Sequence, residues 1–327
     1  MTSITVSAPG KIHLLGEHAV VYGRPALLAA IDKRLYVEIR SPCLAGRRAK
    51  SEIRKNNEIK INSTENAKLV WETIRVFKNF FSQELLPPLE ITITSQIPTG
   101  SGLGSSAALS AALLGALLKF VKKIWNPAQV NELAYEVEKK AHGHPSGADN
   151  STVVFGGLVW FRREFDFLKS IWSLPVSAYK IPPFVTVDSG KPKESTKEMV
   201  VSVAHLYSKK RERLEEIFSD QEKQTKKLLL ALKTGNKQKL IVSIKQGEKN
   251  LEKLGVVGAF AQKIIKEIEN IGGAAKICGA GGRKVGSGII LCYHPEVQKV
   301  KNIARKFNLP IAPIKLGEEG IRIEGQK

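Results

Sequence analysis

Hydrophobic and polar positions change rhythm several times along this chain. Leu35, Val37 and Ile39 alternate with Arg34, Tyr36, Glu38 and Arg40, the period of two that marks a strand with one buried face. Leu89, Ile91 and Ile93 repeat the pattern against Glu90, Thr92 and Thr94. Between these strands, after a polar segment from Gly46 to Asn66, Leu69, Val70, Ile74 and Phe77 recur at helical spacing. The first forty residues therefore read as strands and turns. From Ser105 onward, Ala107, Ala108, Leu109, Ala111, Ala112, Leu113 and Leu114 leave almost no polar side, which predicts a helix buried nearly all round. Asn126 and Pro127 open the next helix as N-cap and first residue, with Val130, Leu133, Ala134, Val137 and Ala141 on its apolar face. Val153 to Phe161, containing Gly156 and Gly157, reads as β structure.

Beyond about residue 165 the order is a strand at Phe184 to Val187, then charged helices from about Glu198 to Asn270 with breaks near Gly235 and Gly255. A strand from Gly288 to Cys292, a helix and a last strand follow. With 327 residues and roughly 100 to 200 residues per domain, the pattern predicts an α+β protein of two domains, 1–165 and 166–327.

Composition changes this picture mainly by exclusion. Lys and Arg outnumber Asp and Glu by 51 to 31, a net charge of +20. The cations are scattered, from Arg47, Arg48 and Lys50 through Lys209, Lys210, Arg211, Lys226 and Lys227 to Lys299 and Lys301, mostly among acids on predicted helices. That distribution favours a solvated basic surface over a nucleic-acid face, and it is equally compatible with anionic small-molecule substrates. The charge-free stretch from Ile91 to Leu118 is long enough to span a bilayer, but Pro98, Gly100, Gly102 and Gly104 interrupt it. Met1 to Pro9 lacks the basic start and apolar run of a secretory leader. Cys43, Cys278 and Cys292 are too few and too scattered for a disulfide framework or a four-ligand zinc site, and read as reduced thiols. The expected setting is cytoplasmic, with neither membrane nor nucleic acid as partner.

The most informative chemistry lies in Pro98 to Ala108, Pro-Thr-Gly-Ser-Gly-Leu-Gly-Ser-Ser-Ala-Ala, where glycines follow a strand and lead into a helix. Such a loop lets backbone approach an anion, and the free N–H groups and dipole of the helix favour its charge. Ser105 and Ser106 add hydroxyls able to meet phosphate oxygens or Mg²⁺. No Gly-Lys-Ser/Thr ends the loop, so it is not a Walker A sequence.

Two further stretches stand at the ends of the chain: Ser7 to Leu27, containing Pro-Gly-Lys-Ile-His-Leu-Leu-Gly-Glu-His-Ala-Val-Val-Tyr-Gly, and Lys276 to Gly282, Lys-Ile-Cys-Gly-Ala-Gly-Gly. Together the three resemble the GHMP kinases. The Gly16 to Gly23 form of the first, with His-Gly-His-Pro-Ser-Gly-Ala-Asp-Asn at His142 to Asn150, is similar to the mevalonate kinase branch. The resemblance covers nearly the whole chain in the expected order. It implies a two-domain GHMP kinase fold with the active site in the interdomain cleft, and ATP-dependent phosphorylation of the 5-hydroxyl of mevalonate, feeding isoprenoid synthesis.

Site roles follow by position. The resemblance puts ATP phosphates on Gly100, Gly102, Leu103, Gly104, Ser105 and Ser106, with Gly279, Ala280, Gly281 and Gly282 as a second loop. It puts Mg²⁺ on Ser106 and Glu138. Asp149, which by itself reads as a turn aspartate satisfied by local backbone, becomes the base or orienting group for the substrate hydroxyl. Lys11 contacts that aspartate and lowers the hydroxyl pKa electrostatically. Glu17, His18 and Thr196 fall near the substrate, though His18 reads equally as structural. His13, His142 and His144 have no metal-ligand spacing and read as structural. Lys191, Lys193 or neither supplies the basic residue before Thr196. The third glycine stretch departs from the family with Arg283-Lys284-Val285, two cations that face either the ligand or solvent. A phosphomevalonate kinase would share the loops but should lack this pair of first and fourth motifs. A homodimer is compatible with all of this.

Overall fold

Two long antiparallel strands, β1 (Ser3–Leu15) and β2 (Ala26–Arg40), joined through a 3-10 turn at Ala19–Tyr22, form the spine of the molecule. The computed structural model describes residues 3–42, 59–83, 85–142, 145–165 and 167–325. Next come β3 (Ile59–Ser63), α1 (Ala67–Phe80), β4 (Leu89–Ser95), α2 (Ser105–Lys122), α3 (Pro127–His142) and α4 (Ala148–Phe155). They are followed by β5 (Leu158–Arg163), β6 (Lys169–Leu174) and β7 (Phe184–Asp188). Four helices follow, α5 (Thr196–Lys209), α6 (Arg211–Thr234), α7 (Lys237–Lys253) and α8 (Ala259–Asn270). The chain closes with β8 (Ala274–Ile277), β9 (Ile289–Tyr293), α9 (Val297–Lys306), β10 (Ile311–Ile314) and β11 (Arg322–Ile323).

The strands form two sheets. One runs β11-β1-β2-β4-β3, with β5 pairing the other end of β2 and β6 pairing β5; the other runs β10-β7-β9-β8. This is an α+β fold. Helix α2 lies across the first sheet with Leu113, Leu114, Leu117 and Leu118 fully buried, each stabilising the fold by roughly 1.5–3 kcal/mol. Among the described residues it is the helix whose length and composition would suit a membrane, but 78% of it is buried inside this protein. The same core cluster takes in Phe184, Leu228, Ala274 and Tyr293, so apolar packing is continuous between the sheets. Helix starts follow local chemistry: the Asn66 side chain accepts from the N–H groups of Lys68 and Leu69, and Asn126 accepts from Gln129.

Three expectations need correction. Val153 to Phe155 is not β structure but the last turn of α4; β5 begins only at Leu158. Burial of Val153 and Val154 outweighs their strand propensity. The polar segment ends in a strand, β3, parallel to β4, where Ile59 and Ile61 are half-buried and the alternate Lys60 and Asn62 are exposed. The charged helical run has a third break, at Lys210. Cys43, most of the Gly46 to Asn66 segment and His144 lie outside the described residues, as do the side chains of Ala141 and His142.

Candidate active site

The pairing of β1 with β2 shifts register between Pro9 and Lys11 and again between His13 and Leu15. Such irregularities re-aim side chains, and here they bracket Lys11 and His13, which share one face of the strand by the period of two. The backbone N–H of Lys11 donates to the Leu103 carbonyl, 2.9 Å, joining β1 to the first glycine-rich loop. Lys11 then lies across Gly104, where a Cβ would stand 2.7 Å from its Cγ. Gly104 has φ +78, so both conformation and space demand glycine there.

Lys11 Nζ reaches Asp149 Oδ2 at 2.9 Å, with Lys11 2% and Asp149 35% exposed. Asp149 sits in the first turn of α4, whose N-cap Gly147 is in the left-handed region, and the positive end of that helix favours its charge. Lys11 Nζ also donates to His13 Nδ1 at 3.3 Å. Burial, then the neighbouring Lys11 charge, hold the His13 ring far below the usual histidine range.

These groups face a cavity of about 220 Å³. Its walls include Lys11, His13, Glu17, His18, Glu138 and Asp149; the first glycine loop with Ser105 and Ser106; Gly279 and Ala280; and Thr196 with Lys197 from α5. The two glycine loops meet backbone to backbone: a Cβ on Gly102 would stand 2.4 Å from the Cys278 carbonyl oxygen. The first N–H groups of α2, at Ser105 to Ala107, have no intrahelical acceptor and stand on this wall. Burial raises the Cys278 thiol to about 12, so it is no nucleophile.

Glu138 is buried at 7% exposure. Burial first, and the Asp149 charge second, push its carboxyl up to about 8. Ser106, also on the cavity wall, is exposed. Ser105 is turned partly away, its hydroxyl donating to Glu65 Oε2 at 3.3 Å.

The remaining expected residues are placed unequally. His18, at φ 57, donates from Nε2 to the Ala280 carbonyl at 3.1 Å, and burial lowers its ring to about 4. It is thus a neutral strut between the first motif and the third. Glu17 lines the cavity, but its Oε1 is held by Lys276 Nζ. Thr196 opens α5 behind Ser195, whose side chain forms a capping box with Glu198. Lys191 lies over Gly100 and lines an adjoining recess of about 140 Å³, whereas Lys193 lines neither space. Gly281 borders that recess. Leu103 and Gly282 line neither space; Leu103 is buried and Gly282 donates to the Val256 carbonyl at 3.0 Å. Arg283 is exposed and reaches Ser202 on α5; it lines neither space, although its charge helps to lower the His18 ring.

Two residues escaped the sequence reading. His13, read there as structural, stands in the site beside Lys11. Lys276, fully buried, binds Glu17 and donates to the His13 carbonyl at 3.1 Å. Its signal was present: a lysine between Ala275 and Ile277 in an apolar strand has no solvent to face.

Comparison with known proteins identifies the family. Residues 68–157 match the GHMP kinases N terminal domain, and residues 2–41 match a galactokinase galactose-binding signature. A mevalonate kinase of Thermococcus sibiricus is 32% identical, the alignment covering 98% of each chain. The chain belongs to the GHMP kinase family. The Methanococcus jannaschii mevalonate kinase structure superposes with a TM-score of 0.76 at 25% identity, covering 96% of this chain and 98% of that one. A Streptococcus pneumoniae phosphomevalonate kinase reaches the same TM-score at 19% identity, covering 96% of this chain and 99% of the other; it shows the fold alone. This GHMP kinase therefore shares its architecture with kinases of different acceptors, and its acceptor must be argued from the site.

Proposed function

We propose that this GHMP kinase transfers the γ-phosphoryl group of ATP to the 5-hydroxyl of mevalonate, as a cytoplasmic enzyme of isoprenoid synthesis. The observation that carries the reading is the buried Lys11 ammonium 2.9 Å from Asp149, on the same cavity as the free N-terminus of α2. One wall is built for phosphate and the other for a hydroxyl. The choice of mevalonate rests on the relatives and on the paired first and fourth motifs.

Phosphoryl transfer asks the protein mainly for in-line positioning and charge neutralisation. The N–H groups from Gly102 to Ser106 cradle the phosphates, with Gly279 and Ala280 opposite. Asp149 receives or orients the proton of the acceptor hydroxyl as its oxygen attacks the γ-phosphorus. The bond from that phosphorus to the β,γ-bridging oxygen breaks and ADP departs. Lys11 favours the ionised form of both Asp149 and the attacking oxygen. Thr196, at the mouth of α5, meets the acceptor.

The donor set fits Mg²⁺. Mg²⁺ in such sites takes one or two protein oxygen ligands and completes its shell with substrate phosphates and water. Glu138 and the Ser106 hydroxyl would hold it, the cation's charge offsetting the burial and the Asp149 repulsion that otherwise keep the Glu138 carboxyl protonated. When bound, Mg²⁺ neutralises phosphate charge.

An acceptor panel tests the proposal. With ATP and Mg²⁺, ADP release should be fast with mevalonate and negligible with phosphomevalonate or galactose; preference for either of the latter would reject the assignment.

A further inference from the structure

His13 has no role in the transfer described so far, yet it stands 3.3 Å from Lys11 Nζ and 3.9 Å from Asp149 Oδ1. An ammonium can only donate, so the 3.3 Å contact from Lys11 Nζ makes His13 Nδ1 the acceptor. The ring proton therefore sits on Nε2. That atom is buried and has no hydrogen-bond partner among the described residues. The nearest carboxylate oxygen, Asp149 Oδ1, is 3.9 Å away, beyond hydrogen-bond range. His13 itself lines the cavity. A buried, unpaired donor on a cavity wall, opposite a carboxylate, is a position for an oxygen that can accept from one and donate to the other. A hydroxyl group has that capacity, with one proton to give and two lone pairs to receive.

We propose that His13 is a substrate-contacting residue whose Nε2–H donates to the acceptor hydroxyl oxygen while that hydroxyl donates to Asp149. The inference rests on the proposed function in one respect, that the cavity takes an alcohol acceptor. As the proton moves to Asp149 and the oxygen joins phosphorus, Nε2–H stabilises the negative charge developing on that oxygen. The proton on Nε2 itself is not transferred. The Lys11 ammonium fixes the tautomer, so the two basic residues of β1 act as one unit.

Three substitutions separate this role from mere support of Lys11. His13→Gln places an N–H near the position of Nε2, His13→Asn places an acceptor near the position of Nδ1, and His13→Leu supplies neither. His13→Leu and His13→Asn should lower kcat by about 10²-fold, the low end for removing one such donor. His13→Gln should stay within about tenfold of wild type, and the KM for ATP should not move in any variant. Rescue by Asn but not Gln would reassign His13 to positioning Lys11, and would overturn the proposal. Equal losses in all three, or a His13→Leu enzyme with wild-type kcat, would also overturn it. If His13→Leu fails to fold, the comparison of Gln with Asn decides alone. If the wild type phosphorylates an alcohol other than mevalonate, the substrate assignment fails. The same three variants assayed on that alcohol then test His13 independently.

Discussion

Replacing Lys276 by Met should destabilise the protein in a way that depends on pH. Lys276 and Glu17 are 0% and 2% exposed and are paired. Removing the ammonium leaves the Glu17 carboxylate in a site where burial already raises its pKa, and proton uptake is cheaper than burying a bare charge. A carboxyl with an ordinary pKa of about 4.3 is neutralised at pH 7 at a cost of about 4 kcal/mol, in line with the ~3–5 kcal/mol typical of breaking a buried pair. The sign follows from proton counting: the folded variant holds a proton that the unfolded chain releases above pH 4.3, so stability falls by about 1.4 kcal/mol per unit as pH rises. Glu17→Gln mirrors this. Its Lys276 keeps only the buried Glu248 as a neighbouring acid, whose carboxyl burial itself favours neutral, so it must lose a proton from an ordinary value of about 10.4, costing up to about 5 kcal/mol at pH 7 and less as pH rises. Urea unfolding at pH 5.5 and 8.5 should show Lys276→Met relatively stronger at the acid end and Glu17→Gln at the alkaline end. The double variant should have no such slope. Equal, pH-independent losses in both single variants would refute the buried ion pair.

Lys11→Met should lower kcat by at least about 10²-fold, the low end for an acid–base group, with the unfolding midpoint little changed because Met can lie over Gly104 as the lysine stem does; a near wild-type rate would remove Lys11 from the mechanism. Glu138→Gln and Ser106→Ala should each raise the Mg²⁺ concentration for half-maximal rate, whereas the exposed Glu132→Gln should not; three overlapping titration curves would place the metal elsewhere. Gly102→Ala combines φ +85 with a Cβ 2.4 Å from the Cys278 carbonyl oxygen, so it should cost at least about 1–3 kcal/mol in unfolding free energy and raise the KM for ATP; an unchanged midpoint would contradict the contact between the glycine loops.

Local pattern was enough to place α2 and the alternating strands β2 and β4, because each carries its own period. The glycine loop from Pro98 to Ala108 was legible for the same reason, since a turn into a buried helix leaves a composition that little else produces. What escaped depends on partners distant in sequence. Val153 and Val154 have strand propensity, but packing in α4 decides their conformation. The strand β3 hid among polar residues because only Ile59 and Ile61 alternate in so short a segment. Glu17 gave no sign that its carboxylate is held by Lys276, 259 residues away. His13 likewise looked like any strand histidine until the fold set Lys11 and Asp149 beside it. Arg283, a departure visible in the sequence, turns toward Ser202 on α5 rather than toward the cavity, a choice that depends on where that helix packs.

In the proposed function, Asp149 and Lys11 direct the γ-phosphoryl group onto mevalonate. Phosphorus NMR of the products formed from ATP, Mg²⁺ and mevalonate tests it most directly. The wild type should yield ADP and a new phosphomonoester in equal amounts, while a folded Asp149→Asn enzyme should yield neither at a rate within about 10²-fold of wild type. ADP with inorganic phosphate in place of the phosphomonoester, or full product formation by Asp149→Asn, would contradict the account.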